Sequence, residues 1–376
     1  MELVDVAKSL ISFRTETPPG NEEACARFIQ DFLADLHIEG MTVNVDRFEP
    51  GRANLIAALG PREPGLLLGG HMDVVPAGDE SEWSSPPYDA QEREGLLYGR
   101  GAADMKTGLA AILKAVEATK GDATRMRRGL TFVATAGEEV GFDGLKSLLR
   151  RKKLRPALFG VLGEPTGMRP VRAHKGLATF VVRFNGRSGH ASNPRLGVNA
   201  IEKCSRFIEE LSSSRAALGR LPDRELGKTI ATPTVIQGGS KSNVIPESCY
   251  LTIDTRWVPR QDAAFIERHL NSIVSSLKTK DEEFDAKVEL KYDTSALKIP
   301  SRHPLVKLAE SLTGSKSEIA AYGTEAALYT DYGVPSIVLG PGDVEQAHAV
   351  DEFVDIGEAK RALSVYTKMI ESVCRG

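Results

Sequence analysis

Residues 65–73, GLLLGGHMD, decide the fold: an apolar run ends in two glycines, a histidine and an aspartate. An apolar stretch of this length reads as a strand buried on both faces, which a parallel sheet covered by helices requires. His71 and Asp73 are two residues apart, so along a strand both side chains project to the same face. They stand at its carboxyl end, where open α/β sheets bind ligands.

Further short β-like runs flank this one: MTVNV (41–45), NLIAAL (54–59), LTFVATA (130–136) and ALFGVLGE (157–164). Leu3, Val6, Leu10 and Ile11, then Phe28, Ile29, Phe32, Leu33 and Leu36, recur at spacing three or four and predict two amphipathic helices. TETPPGNEE between them is a turn, and 109–116 is a further helical stretch. Strands alternating with helices give the fold class: α/β, with a mainly parallel sheet covered on both faces.

The pattern changes after VRAHKG, near residue 175. From there the order is strand (LATFVVRF), helix (NAIEKCSRFIEEL), strand (TPTVIQGG), strand (CYLTIDTRWV), helix (AAFIERHLNSIVSSL), strand (AKVELKY). This βαββαβ order is that of a ferredoxin-like α+β unit. After about residue 292 the α/β rhythm returns, with a helix near HPLVKLAESL, a strand PSIVLG and a last helix over 357–372. The expected organisation is a first domain of residues 1–174 completed by 292–376, interrupted by an inserted domain of residues 175–291.

A chain of 376 residues fits two domains better than one core. With 41% hydrophobic and 26% charged residues, the balance is that of a soluble globular protein. The 48 basic and 51 acidic side chains are dispersed without a long basic run, which argues against nucleic acid as a partner. MELVDVAKSLISF lacks the basic head and unbroken apolar stretch of a signal peptide, and no segment has the length of a membrane span. Cys25, Cys204, Cys249 and Cys374 are scattered, form no C-x-x-C pair and read as buried thiols in a reducing cytoplasm.

Five clusters place acids or histidines at or just after predicted strand ends: H71-M-D73, D104-M-K, E138-E139, G-E164-P and A-H348-A. A neutral His71 could ligate a metal while Asp73 behind it fixes its tautomer; equally the two could be a satisfied pair at a strand end. Asp104 precedes an apolar helical run. It could cap that helix, or its two oxygens could bridge two cations. Adjacent Glu138 and Glu139 repel, and either water or a cation must offset that. In the second case Glu139 is a ligand and Glu138 the general base. Glu164, ending an apolar strand, must reach solvent, a partner or a metal. His190 lies in the glycine- and serine-rich loop NGRSGHASNP of the insertion, as a solvated side chain or as an imidazole that polarises a scissile carbonyl.

Read together, GGHMDVVP, WSSPPYDA, LYGRGAADMK, TAGEEVG, LGEPTG, GRSGHAS, SNVIPE and GPGDVEQAHAVDEF follow one another in family order. Through them the sequence resembles the acetylornithine deacetylase and succinyl-diaminopimelate desuccinylase family of dinuclear-metal peptidases, which includes carboxypeptidase G and aminoacylases. The resemblance spans nearly the whole chain. It implies a catalytic domain of zinc-peptidase type and two divalent ions, zinc or cobalt. Asp104 would bridge them, with His71 and Glu164 on one and Glu139 and His348 on the other.

The same resemblance gives Asp73 the orienting role, Glu138 that of base and later proton donor, and His190 that of oxyanion binder, across a homodimer interface made by the insertion. Arg256 in TIDTRWVP is expected to grip a substrate carboxylate bidentately, and Asn243 to hydrogen-bond the same substrate. GEPTGMRPVRAHKG, YGTEAALY and GPGDVEQAHAVDEF are nearest the acetylornithine deacetylase branch, so removal of an acetyl group from an N-acyl amino acid is the expected reaction. Desuccinylation, dipeptide cleavage, or a non-catalytic binding protein on the same fold are the alternatives. Thr107 stands where family members often carry glycine; it removes no ligand.

Overall fold

The computed structural model describes residues 1–375, and its contacts divide the chain into two compact units. The first comprises Met1–Ala173, Lys298–Ile319 and the stretch from Thr324 onward; the second comprises His174–Leu297 and Ala320–Gly323.

The first unit is built on a mixed sheet whose four inner strands are parallel: Leu130–Thr135, Gly65–His71, Ala157–Leu162 and Ser336–Val338, in that spatial order. These are the continuous apolar runs of the sequence. Gly65–His71 and Leu130–Thr135 are buried at every position, because helices cover both faces. Arg52–Leu59 and Thr42–Glu49 extend one side antiparallel, and Val171–His174 pairs antiparallel with Ser336–Val338 on the other.

Glycines set how closely the next layer approaches. A Cβ on Gly70 would meet Met105 Cε at 2.0 Å, and one on Gly108 would meet the Gly163 carbonyl oxygen at 2.1 Å. The loop before the helix Thr107–Glu117 therefore lies directly on the strand that carries His71. That helix is buried along most of its length against the sheet, Leu3–Ile11 and Ile356–Ile370.

At the carboxyl end of Leu130–Thr135, where a Cβ on Gly137 would meet Arg52 Nη2 at 2.3 Å, Glu22 accepts hydrogen bonds from Arg52 Nη2 (3.0 Å) and Nε (3.3 Å), the two side chains being 0% and 10% exposed. Three short strands, Gln91–Arg93, Leu96–Tyr98 and Phe353–Asp355, form a separate antiparallel sheet that the sequence reading did not anticipate.

The second unit has the strand order Ile230–Gly238, Ser248–Trp257, Gly176–Asn185, Asp285–Thr294, all antiparallel. In chain order this is second, third, first, fourth, the arrangement of a ferredoxin-like unit. Burial alternates along the two central strands, as expected for a sheet with one covered face. Helices Ala200–Leu218 and Ala263–Lys280 cover that face with Phe207 and Leu270 against Phe180, Phe184 and Ile253. Asn199 and Asp262 cap them, accepting from Ile201 N (2.9 Å) and Phe265 N (2.7 Å). All four cysteines are buried free thiols. Among the described residues, no helix is long and apolar enough to cross a membrane.

Candidate metal centre

The inner parallel strands deliver their carboxyl ends side by side, and the predicted acids and histidines of the first unit converge there. His71 ends its strand 1% exposed, with Thr135 as its register partner. Its Nδ1 donates to the Asp73 main-chain oxygen at 2.8 Å, while Nε2 lies 3.0 Å from Asp104 Oδ1 and 3.5 Å from Glu164 Oε2. The acceptor that sets the tautomer is thus the Asp73 carbonyl, with the Asp73 carboxylate 3.8 Å away. That carboxylate instead accepts the main-chain N–H groups of Glu138 and Glu139, both at 3.1 Å, and so shapes the loop carrying the adjacent acids.

Asp104 does not cap the following helix. Its backbone is non-helical (φ −119°, ψ 97°), and the helix cap falls at Lys106. Its two oxygens face different histidines: Oδ1 faces His71, and Oδ2 lies 3.5 Å from His348 Nε2. His348 Nε2 is also 3.1 Å from Glu139 Oε1. His348 sits in a left-handed backbone conformation (φ 65°), and its side chain is half exposed.

Ligand atoms of His71, Asp104 and Glu139 all lie within 4.8 Å of one another. Buried Glu164 Oε1 has no hydrogen-bond partner. Burial pushes the Glu164 carboxyl up to about 7 and raises Glu138 well above the carboxylate range, helped by neighbouring acids. Hydrogen bonds with Asp104 and Glu139 push His348 up to about 10. Burial works against ionisation of Asp104, yet the two histidines hold its pKa below the usual range. So many acids in one desolvated pocket, one with a spare oxygen, fit cations as partners. An imidazole and a carboxylate stand on each side of Asp104, which offers one oxygen to each.

Besides Glu22, two buried acids escaped sequence reasoning. Glu352 accepts from the amides of Gly101, Ala103 and Asp104 and from Arg100, and Glu325 Oε2 accepts from Thr135 Oγ1 at 2.7 Å. Burial pushes Glu325 up to about 8. Their only signal was an acidic residue inside an apolar stretch, in AVDEF and GTEAAL.

His190, Asn243 and Arg256 belong to the second unit. His190 is exposed and sits on a two-residue strand paired with Val244–Ile245. Its Nδ1 accepts from Ser192 N at 3.2 Å, so the neutral ring carries its proton on Nε2. Exposed Asn243 is its neighbour, since Ala191 N donates to the Asn243 carbonyl at 3.0 Å. At Arg256, Asp254 occupies the guanidinium fork in this structure, with Nε and Nη2 at 3.0 and 3.1 Å from the two carboxylate oxygens. Arg256 stands eight residues along its strand from Ser248, roughly 26 Å away, at the far end from the His190 ladder.

This sheet and donor set define a metal-dependent hydrolase acting on amide bonds. The sequence matches the peptidase family M20/M25/M40 over residues 67–372, and the chain belongs to that family. It is 35% identical over 328 residues to an acetylornithine deacetylase of Proteus mirabilis (strain HI4320), covering 86% of this chain and 83% of the relative. To an acetylornithine deacetylase of Erwinia tasmaniensis it is 35% identical over 376 residues, covering 98% and 96%. Its fold matches an M20 family metallo-carboxypeptidase from Sulfolobus solfataricus with a TM-score of 0.81 at 18% identity over 99% of both chains.

Proposed function

We propose that the chain is an N-acyl amino acid amidohydrolase whose preferred reaction is the hydrolysis of N-acetylornithine to ornithine and acetate. The metal assignment rests on one observation above all: Asp104 turns one carboxylate oxygen to His71 and the other to His348. His71 and Glu164 would hold one divalent ion, Glu139 and His348 the other, and Asp104 both. Zinc or cobalt suits this mixed nitrogen and oxygen set. Such ions, when bound, lower the pKa of water and polarise a carbonyl.

The chain's own groups supply the proton transfers. Glu138 is anchored through its main-chain amide by Asp73, and its raised pKa lets its carboxylate take a proton from the attacking water and pass it to the departing amine nitrogen. His190, with the proton on Nε2, would donate to the oxygen that gains charge in the transition state, and Asn243 beside it would bind the same substrate. Arg256, held by Asp254, has no part in this proposal. The substrate rests on the likeness to the two deacetylases.

The test is a panel of acetylated, succinylated and dipeptide substrates compared by kcat/KM, with N-acetylornithine expected to lead. Chelation should abolish turnover, and zinc or cobalt should restore it. Activity indifferent to chelation would sink the metal assignment, whereas preference for succinyl-diaminopimelate would overturn only the substrate.

A further inference from the structure

Glu352 is 1% exposed and makes five contacts with loop groups. Its Oε1 accepts from Ala103 N (2.8 Å) and Asp104 N (3.0 Å); its Oε2 accepts from Gly101 N (3.1 Å) and Arg100 Nη1 (2.6 Å). Its main-chain oxygen accepts from Gly99 N at 2.9 Å. Arg100 carries the connection further, donating to the carbonyls of Ala349 (3.2 Å) and Pro76 (3.4 Å) and lying over the Trp83 ring. One carboxylate therefore gathers the amides of the loop that ends in Asp104, and it sits four residues after His348.

The ligands differ in how they are fixed. His71 ends a strand held on both sides by ladders, and Glu164 follows the next strand directly. Asp104 and His348 lie on loops with non-helical or left-handed backbone, and a ladder fixes neither. Asp104 keeps a second anchor toward His71, because Met105 packs on Gly70. His348 is half exposed, and the Glu352 contacts bind its loop to that of Asp104.

We infer that Glu352 is a positioning residue that ties the Asp104 loop to the His348 loop and thereby sets metal affinity on the Glu139–His348 side. The inference rests on the ligand assignment proposed above. Removing the carboxylate leaves three amides without their acceptor and the buried Arg100 guanidinium without its carboxylate partner, and their rearrangement moves both loops. The His71–Glu164 side, held by the sheet, is spared.

The experiment is a Co2+ titration of metal-stripped protein, followed by calorimetry and visible absorption, on wild type, Glu352→Ala, Glu352→Gln and Lys203→Met. Wild type should bind two equivalents tightly. Glu352→Ala should bind the first as wild type does and the second about 10- to 100-fold more weakly, the usual effect of losing a partner behind a ligand. Glu352→Gln keeps one acceptor oxygen and should fall between them. Lys203→Met removes a buried cation of the second unit, which donates to the Asn185 carbonyl at 2.7 Å in a unit that holds none of the proposed metal ligands, and should leave both affinities unchanged. Two undisturbed sites in both Glu352 variants, or equal weakening of both sites in Glu352→Ala and Lys203→Met, would overturn the inference. Fewer than two sites in wild type would overturn the metal assignment and this inference with it.

Discussion

Glu138 and Glu139 are neighbours, yet the structure gives them different surroundings. Glu139 faces His348, while burial, helped by the charges of Glu164, Glu139 and Glu325, raises the pKa of the Glu138 carboxyl well above the carboxylate range. Glu138→Gln should therefore lower kcat by about 10²- to 10⁴-fold while metal content stays at the wild-type value. Metal analysis beside steady-state kinetics checks this, and a parallel loss of metal would make Glu138 a ligand. Sequence spacing placed the acids and histidines at strand ends, because a strand's alternation fixes where a side chain goes. Spacing could not place Asp73, whose carboxylate turns to the amides of residues 138 and 139. Nor could it see that Asp254 would claim Arg256 from two positions away on the same strand face.

At the scale of elements, Glu22 precedes the helix Glu23–Asp35 and Arg52 heads the strand Arg52–Leu59, so their buried pair pins one to the other. Glu22→Gln leaves a nearly buried guanidinium with only Asp143 and Glu49 at 3.8 and 3.9 Å, and should cost about 3 kcal/mol, measured by urea unfolding.

His174, at the end of Val171–His174, is buried, and desolvation pulls its pKa from 6.5 down to about 4. The unfolded chain then binds more protons than the folded one between these values. Stability is fully present above pH 6.5 and is lost as pH falls toward 4, by roughly 2–3 kcal/mol at pH 4.5. His174→Asn should remove this loss, so its unfolding midpoint should gain on that of wild type between pH 7 and 4.5. An unchanged gap would mean that His174 does not titrate there. Elements with a strong period were legible in the sequence: Gly65–His71 from its apolar run, and Ala263–Lys280 from Ile266, Leu270, Ile273 and Leu277. The strands Leu96–Tyr98 and Phe353–Asp355 were not. Each is three residues long, and their pairing joins Tyr98 to Phe353 across the chain.

At the scale of the whole molecule, Ile230–Gly238 is an edge strand with one neighbour, and it leaves Ile230, Val235 and Ile236 between 46% and 53% exposed. An open apolar edge is a template for another strand. The proposed homodimer would use it, and Ile236→Lys should shift wild-type dimer toward monomer in sedimentation velocity; a wild type that sediments as monomer rejects the proposal. The α/β class was legible because the central strands are apolar throughout, and the ferredoxin-like order because the two central strands and both helices of that unit keep their own period. The connection that closes the centre was less visible. Ser336–Val338, which completes the inner sheet beside Ala157–Leu162, comes only after the second unit has been traversed, and His348 comes after it. During synthesis the nascent chain must wait with a gap in its main sheet and one of its five proposed metal ligands, His348, missing. The protein can gain its full complement of ions only after the ribosome has passed residue 348.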